Sequence, residues 1–112
     1  MPVRVNDDPI GNGKVQFLTW MSVDPTDGSV NVVFYDRRNL TGTKTAVTMA
    51  RSTDGGRTFK NYPVNIPPFE THPSPAFGDY IGISAFGKRV IAAFPYFIDE
   101  KTIALAAARF QF

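Results

Sequence analysis

The chain has 112 residues, the size of one domain or one part of a larger domain. Its 43% apolar and 20% charged residues suit a folded chain rather than a disordered one, and a net charge of +2 with scattered basic residues gives no sign of a nucleic-acid binder. No apolar run reaches the roughly 20 residues of a membrane span. Zero cysteines exclude disulfides and thiolate chemistry, and a single histidine, His72, excludes a multi-histidine metal centre within one chain, so neither cofactor nor metal is expected.

The first residues carry no apolar stretch of the secretory type, so no signal peptide is expected in this chain, and its compartment is not legible. Residues 3–6 read as a short extended piece. Residues 14–23 alternate, with Val15, Phe17, Thr19 and Met21 on one face and Gln16, Leu18, Trp20 and Ser22 on the other. After a turn over residues 24–28, residues 29–36 form a strand apolar on both faces, as a buried central strand should be. A polar loop leads to a third strand over 44–51, a tight connection over 52–56, and a fourth strand from 57 to about 65. Residues 66–79 hold Pro67, Pro68, Pro73 and Pro75 and read as a loop. Strands over 80–86, 89–97 and 102–112 follow. In the last of these, the alanine-rich run from Ile103 to Arg109 favours a helix on propensity, but its position in the repeat demands a strand. An all-β, antiparallel chain is expected.

The strand order repeats with a period of about 65 residues, so that the apolar stretch at 31–36 matches the one at 90–96; such self-similarity points to a propeller or another repeat array. At the third connection stand Ser52, Asp54, Gly56, Thr58 and Phe59. Asp54 is suited to accept backbone N–H groups across the turn, Gly56 to take the positive φ, Ser52 and Thr58 to form a hydroxyl pair, and Phe59 to pack inward. This stretch resembles the Asp-box of the sialidase-like (BNR repeat) β-propellers, and the segments at 32–38 and 77–83 look like strand entries of bacterial members. The resemblance implies up-and-down four-stranded blades in the order D-ABCD-ABC: residues 14–65 as one blade, 80–112 as a second, and 1–6 as the outer strand of a neighbouring blade. In that family the Asp-box is a folding element remote from the catalytic pocket, and members are commonly secreted or periplasmic.

On that topology the Asp-box turn shares its face with residues 24–28 and 87–88. The opposite face gathers the longer loops, with Asp7, Asp8, Asp36, Arg37, Arg38, Glu70, His72, Asp79, Asp99 and Glu100, and with Tyr80 and Tyr96 at their edges. Binding residues concentrate on long loops held by a rigid scaffold. The resemblance implies an exo-glycosidase needing an arginine cluster for the substrate carboxylate, a tyrosine nucleophile with a glutamate, and an aspartic general acid. Arg37, Arg38, Tyr80 (or Tyr96) and Glu70 (or Glu100) are the catalytic candidates; Asp36, Arg37, Arg38, His72, Asp79, Tyr96 and Asp99 are the ligand-face candidates. The Arg-Ile-Pro signature of the family is absent from these 112 residues. A non-catalytic propeller binding glycan or protein on its loop face is the alternative. On general grounds Asp36 and Arg37 form a structural pair, Tyr80 and Tyr96 pack between blades, and His72 is a loop residue. Two blades leave open edges, so further blades are expected from a longer parent chain or from identical chains, for instance a trimer giving six blades.

Overall fold

A computed structural model describes residues 1–72, 78 and 80–112. Among the described residues there is no helix, and eight strands run in chain order: β1 (Gln16–Val23), β2 (Val30–Asp36), β3 (Lys44–Ser52), β4 (Lys60–Pro63), β5 (Phe69–Glu70), β6 (Gly82–Phe86), β7 (Arg89–Phe97) and β8 (Ile103–Gln111). β1 to β4 pair in sequence as one antiparallel sheet, with the two-residue β5 added to the start of β3; β6, β7 and β8 form a second. The alanine-rich segment is a strand along its whole length, paired with β7 from Arg89–Gln111 to Phe97–Ile103. From Ala104 onward its burial alternates residue by residue, so the ladder and one packed face outweigh alanine's helical preference.

The two sheets meet face to face. Val33, Tyr35 and Val47 of the first sheet share one buried cluster with Ala92, Phe94 and Phe97 of the second, joined by Val64, Phe69 and Ile81 from the connection between them. The Tyr35 hydroxyl crosses the interface and donates to the Pro95 carbonyl at 2.7 Å, and burial pushes its pKa up. At the opposite end the Asp24 carboxylate accepts the backbone N–H groups of Gly87 (3.2 Å) and Lys88 (2.7 Å). Burial alone would raise the Asp24 pKa; the hydrogen bonds from Thr26, Lys88 and Gly87 outweigh it and bring it down to about 2. The turns at 24–29 and 87–88 therefore lock together.

Four expectations are corrected. First, the alternation of β1 breaks at Leu18, which has φ of 49°. Phe17 pairs with Tyr35 and Trp20 with Val33, so Leu18 and Thr19 together oppose Phe34 as a β-bulge. Phe17 shares a face with Trp20 rather than with Thr19 and Met21. Second, residues 1–6 form no strand. Val5 instead packs on Val32, Phe34, Ala50 and Phe59, and its carbonyl accepts the Asn61 amide at 2.8 Å, so side chains rather than a backbone ladder hold this segment to the sheet. Third, the fourth strand is confined to Lys60–Pro63, because the residues before it are occupied by the turn around Asp54. Fourth, residues 66–79 are not all loop: Phe69 and Glu70 pair with Thr45 and Lys44.

At the Asp54 turn, Asp54 Oδ1 accepts the N–H groups of Arg57 (3.0 Å) and Thr58 (2.9 Å). The two hydroxyls do not pair with each other; Ser52 donates to Oδ1 at 2.8 Å and Thr58 to Oδ2 at 2.5 Å. Ser52 Oγ in turn accepts the N–H of Gly56, whose φ of 84° is open to glycine without steric cost. With so many donors, the Thr58 hydroxyl foremost, Asp54 is held well below the usual carboxylate range.

Candidate functional site

The loops after β2, between β4 and β6, and between β7 and β8 lie at the end of the molecule away from the Asp24 and Asp54 turns, as strand alternation requires. Two groups of side chains gather there, and they differ in what they can do.

The first group is a closed polar network. Asp36, at the end of β2 and 1% exposed, accepts from Gln16 Nε2 (3.0 Å), Arg38 N (3.0 Å), Arg38 Nε (2.5 Å) and Thr48 Oγ1 (2.7 Å). Arg38 also donates to Asp7 and to Asn61 Oδ1 (2.8 Å). The pairing is thus Asp36 with Arg38, not with Arg37; successive residues of an extended chain point to opposite sides, so residues two apart meet. Asp8, also buried, accepts from Asn6 (2.6 Å) and Asn12 (2.7 Å). Burial pushes its pKa up, but those amides and the Arg38 charge bring it below the ordinary value. Burial likewise disfavours the Arg38 charge, and Asp7 and Asp36 more than restore it.

The second group surrounds a cleft of about 710 Å³ between the β4–β6 connection and the β7–β8 turn. Phe69, Tyr96 and Phe97 form its apolar wall; Glu70, Asp99 and Glu100 supply carboxylates, and His72 completes it. The aromatic wall is ordered by edge contacts: Phe69 to Tyr96 at 6.1 Å between centroids, Tyr35 behind Phe69 at 6.2 Å, and His72 to Phe97 at 5.0 Å. Glu70 Oε2 accepts the Thr43 hydroxyl at 2.6 Å, while Asp99 accepts the Lys101 N–H at 2.9 Å and is held below its ordinary pKa by that bond and by the Thr102 hydroxyl.

Arg37 belongs to neither opening. Its Nε donates to Thr45 (3.1 Å), one terminal nitrogen donates to Thr71 (3.0 Å), and the guanidinium lies 5.0 Å from the Phe17 ring centre. The candidates therefore separate. Glu70, His72, Tyr96, Asp99 and Glu100 come together in the cleft, Asp36 and Arg38 enter the polar network, and Arg37 is clamped between them. Tyr80 is 76% exposed and does not line the cleft. Asp79 lies outside the described residues, as does much of the 66–79 segment. Sequence reasoning passed over Phe69, Phe97 and Thr71; the signal available was the alternation of Phe69, Thr71 and Pro73 inside a segment read as proline-rich loop.

No family model, no curated protein and no solved structure matches this chain.

Proposed function

We propose that the two sheets are consecutive blades of a sialidase-like β-propeller, β1 to β4 as one four-stranded blade and β6 to β8 as three strands of the next, and that the module binds glycan on its long-loop face without cleaving it. The Asp54 turn carries the hydrogen bonds expected of an Asp-box, with Ser52, Thr58 and two backbone N–H groups converging on one carboxylate. One observation carries the choice of binding over hydrolysis. Arg37 is committed to Thr45 and Thr71 and Arg38 to Asp36 and Asn61, whereas the cleft beside them has aromatic rings in its wall and, among the described residues, is lined by neither arginine. A sugar ring stacks its C–H face on such a wall and offers its hydroxyls to carboxylates at the rim.

The test is a glycan array run beside a fluorogenic sialoside assay. Binding without turnover is expected, and Tyr96→Ala should weaken that binding at least tenfold. Turnover abolished by Arg37→Ala would favour the exo-glycosidase reading in its place.

Further blades complete the ring in this reading, from a longer parent chain or from identical chains, with a trimer giving six blades. The free side of the second sheet supports it: Phe86, Ile91 and Leu105 are 68%, 46% and 75% exposed there, and Trp20 and Met21 are half-exposed on β1. Native mass spectrometry of the 112-residue chain should give a closed oligomer. A well-folded, soluble monomer overturns assembly from identical chains.

A further inference from the structure

Assembly from identical chains, on which this inference rests, needs a surface that one copy offers and another that receives it. β8 offers a strand edge. It runs nine residues, Ile103–Gln111, and among the described residues only β7 pairs with it. A cleft of about 300 Å³ follows its other edge, lined by residues 106–110 in succession, with Val64 and Ile66 across from them. Side chains of a strand alternate between faces, so successive residues border one cleft only along the edge. Such an edge is a template for a further extended segment.

Residues 2–6 have the matching need. Among the described residues, none of their backbone groups bonds to another backbone group; the Val5 carbonyl accepts the Asn61 side-chain amide instead. Within one chain the two cannot meet. Val5 lies on Val32 and Phe34, whereas Ala106, Ala108 and Phe110 of β8 pack with Val33 and Tyr35 on the other face of the same sheet. The first sheet stands between them, so only a second copy brings residues 2–6 to β8.

The neighbouring surfaces agree. If Val5 stays on its own sheet, the outer face of that sheet comes over the free face of the neighbour's second sheet. Met21 and Val23, exposed beside Val32 and Val30, then cover Phe86, Ile91 and Leu105. Charge favours this contact over one between two copies of the same face. β6, β7 and β8 hold Arg89 and Arg109, both exposed, and no acid, so two such faces repel. Asp7, next to the donated residues, has a half-exposed carboxylate.

We propose that residues 2–6 of one chain pair with the open edge of β8 in the next, extending the three-stranded sheet to four. Donor and acceptor are different surfaces, so the contact runs head to tail and repeats until a ring closes.

Two variants of the full chain test this. Val3→Pro with Arg4→Pro removes two backbone N–H donors at exposed positions, and Leu105→Glu places a charge on the exposed face beside the edge. Urea denaturation should show both folded. By native mass spectrometry each variant alone should be a monomer, and their equimolar mixture a 1:1 heterodimer and nothing larger, since one intact donor meets one intact acceptor. In the wild-type oligomer, amide exchange at β8 and residues 3–6 should slow by roughly tenfold or more relative to the monomeric variants. Assembly of the proline variant by itself overturns strand donation and leaves assembly from identical chains standing. Two monomeric variants that fail to pair on mixing overturn it as well. A monomeric wild type overturns both the donation and the assembly beneath it.

Discussion

Phe94→Ala should destabilise the protein by about 3–5 kcal/mol, the range for truncating a fully buried phenylalanine. Phe94 is wholly buried in the cluster that joins the two sheets. Its cross-strand partner on β8 is Ala106, and the next residue of β8 on the same face is Ala108. The small side chains of Ala106 and Ala108 leave the volume that the Phe94 ring fills, and neither can fill the space after truncation. The cavity therefore persists and carries its full cost. Against a total stability of about 5–15 kcal/mol for a domain, such a loss removes a large fraction. Urea denaturation should show the midpoint falling with the slope unchanged. Leu105→Ala is the control: Leu105 sits on the far face of the same sheet, 75% exposed, and its truncation should shift stability by less than about 0.5 kcal/mol. Equal effects from the two variants would mean that the sheets do not share this core.

Much of the framework was legible because it rests on period-two alternation and on turns with strong residue preferences. β2 is apolar on both sides, and the structure buries both: Val33 and Tyr35 against the second sheet, Val32 and Phe34 beneath Val5 and Phe59. The turn at Asp54 was legible for a similar reason, since a short acid between two hydroxyl residues and a glycine is placed to accept from the hydroxyls and backbone N–H groups around it. β8 was legible from the order of strands, against its own alanine content.

What was not legible depends on events that leave no mark in local pattern. The bulge at Leu18 inserts one residue and moves Trp20 to the face of Phe17. Nothing about leucine favours a φ of 49°, so the ladder on either side imposes it. The candidate site divides in the same way. His72, Tyr96, Asp99 and Glu100 were legible as loop residues of one end. That Phe69 walls the same cleft follows from the β5 pairing with β3, a contact across about 25 residues that no spacing rule supplies. The separation of Arg37 from Arg38 follows from strand alternation, which a reading of both as one cluster overlooks.

Asp36→Ala should cost at least about 1–3 kcal/mol, the penalty for leaving buried donors without their acceptor. Four donors converge on the Asp36 carboxylate: the Gln16 amide, the Arg38 backbone N–H, the Arg38 guanidinium and the Thr48 hydroxyl. With alanine at 36 they lose their acceptor in a space where Asp36 is 1% exposed and water is largely excluded. The Arg38 side chain, 21% exposed, keeps Asp7 and Asn61 and so is not left wholly unpaired. Arg38→Ala, which leaves the buried Asp36 carboxylate without its cation, should cost no less than Asp36→Ala, and the double variant less than the sum of the two, by about 0.5–3 kcal/mol of coupling. Asp36→Asn should fall between wild type and alanine: the shape is kept, but the new NH₂ must face either Arg38 or the two neutral donors. Chemical denaturation of all four variants gives the cycle. A ligand-facing carboxylate would behave differently, with glycan binding lost and stability changed by less than about 0.5 kcal/mol, and that result would return Asp36 from the scaffold to the binding face.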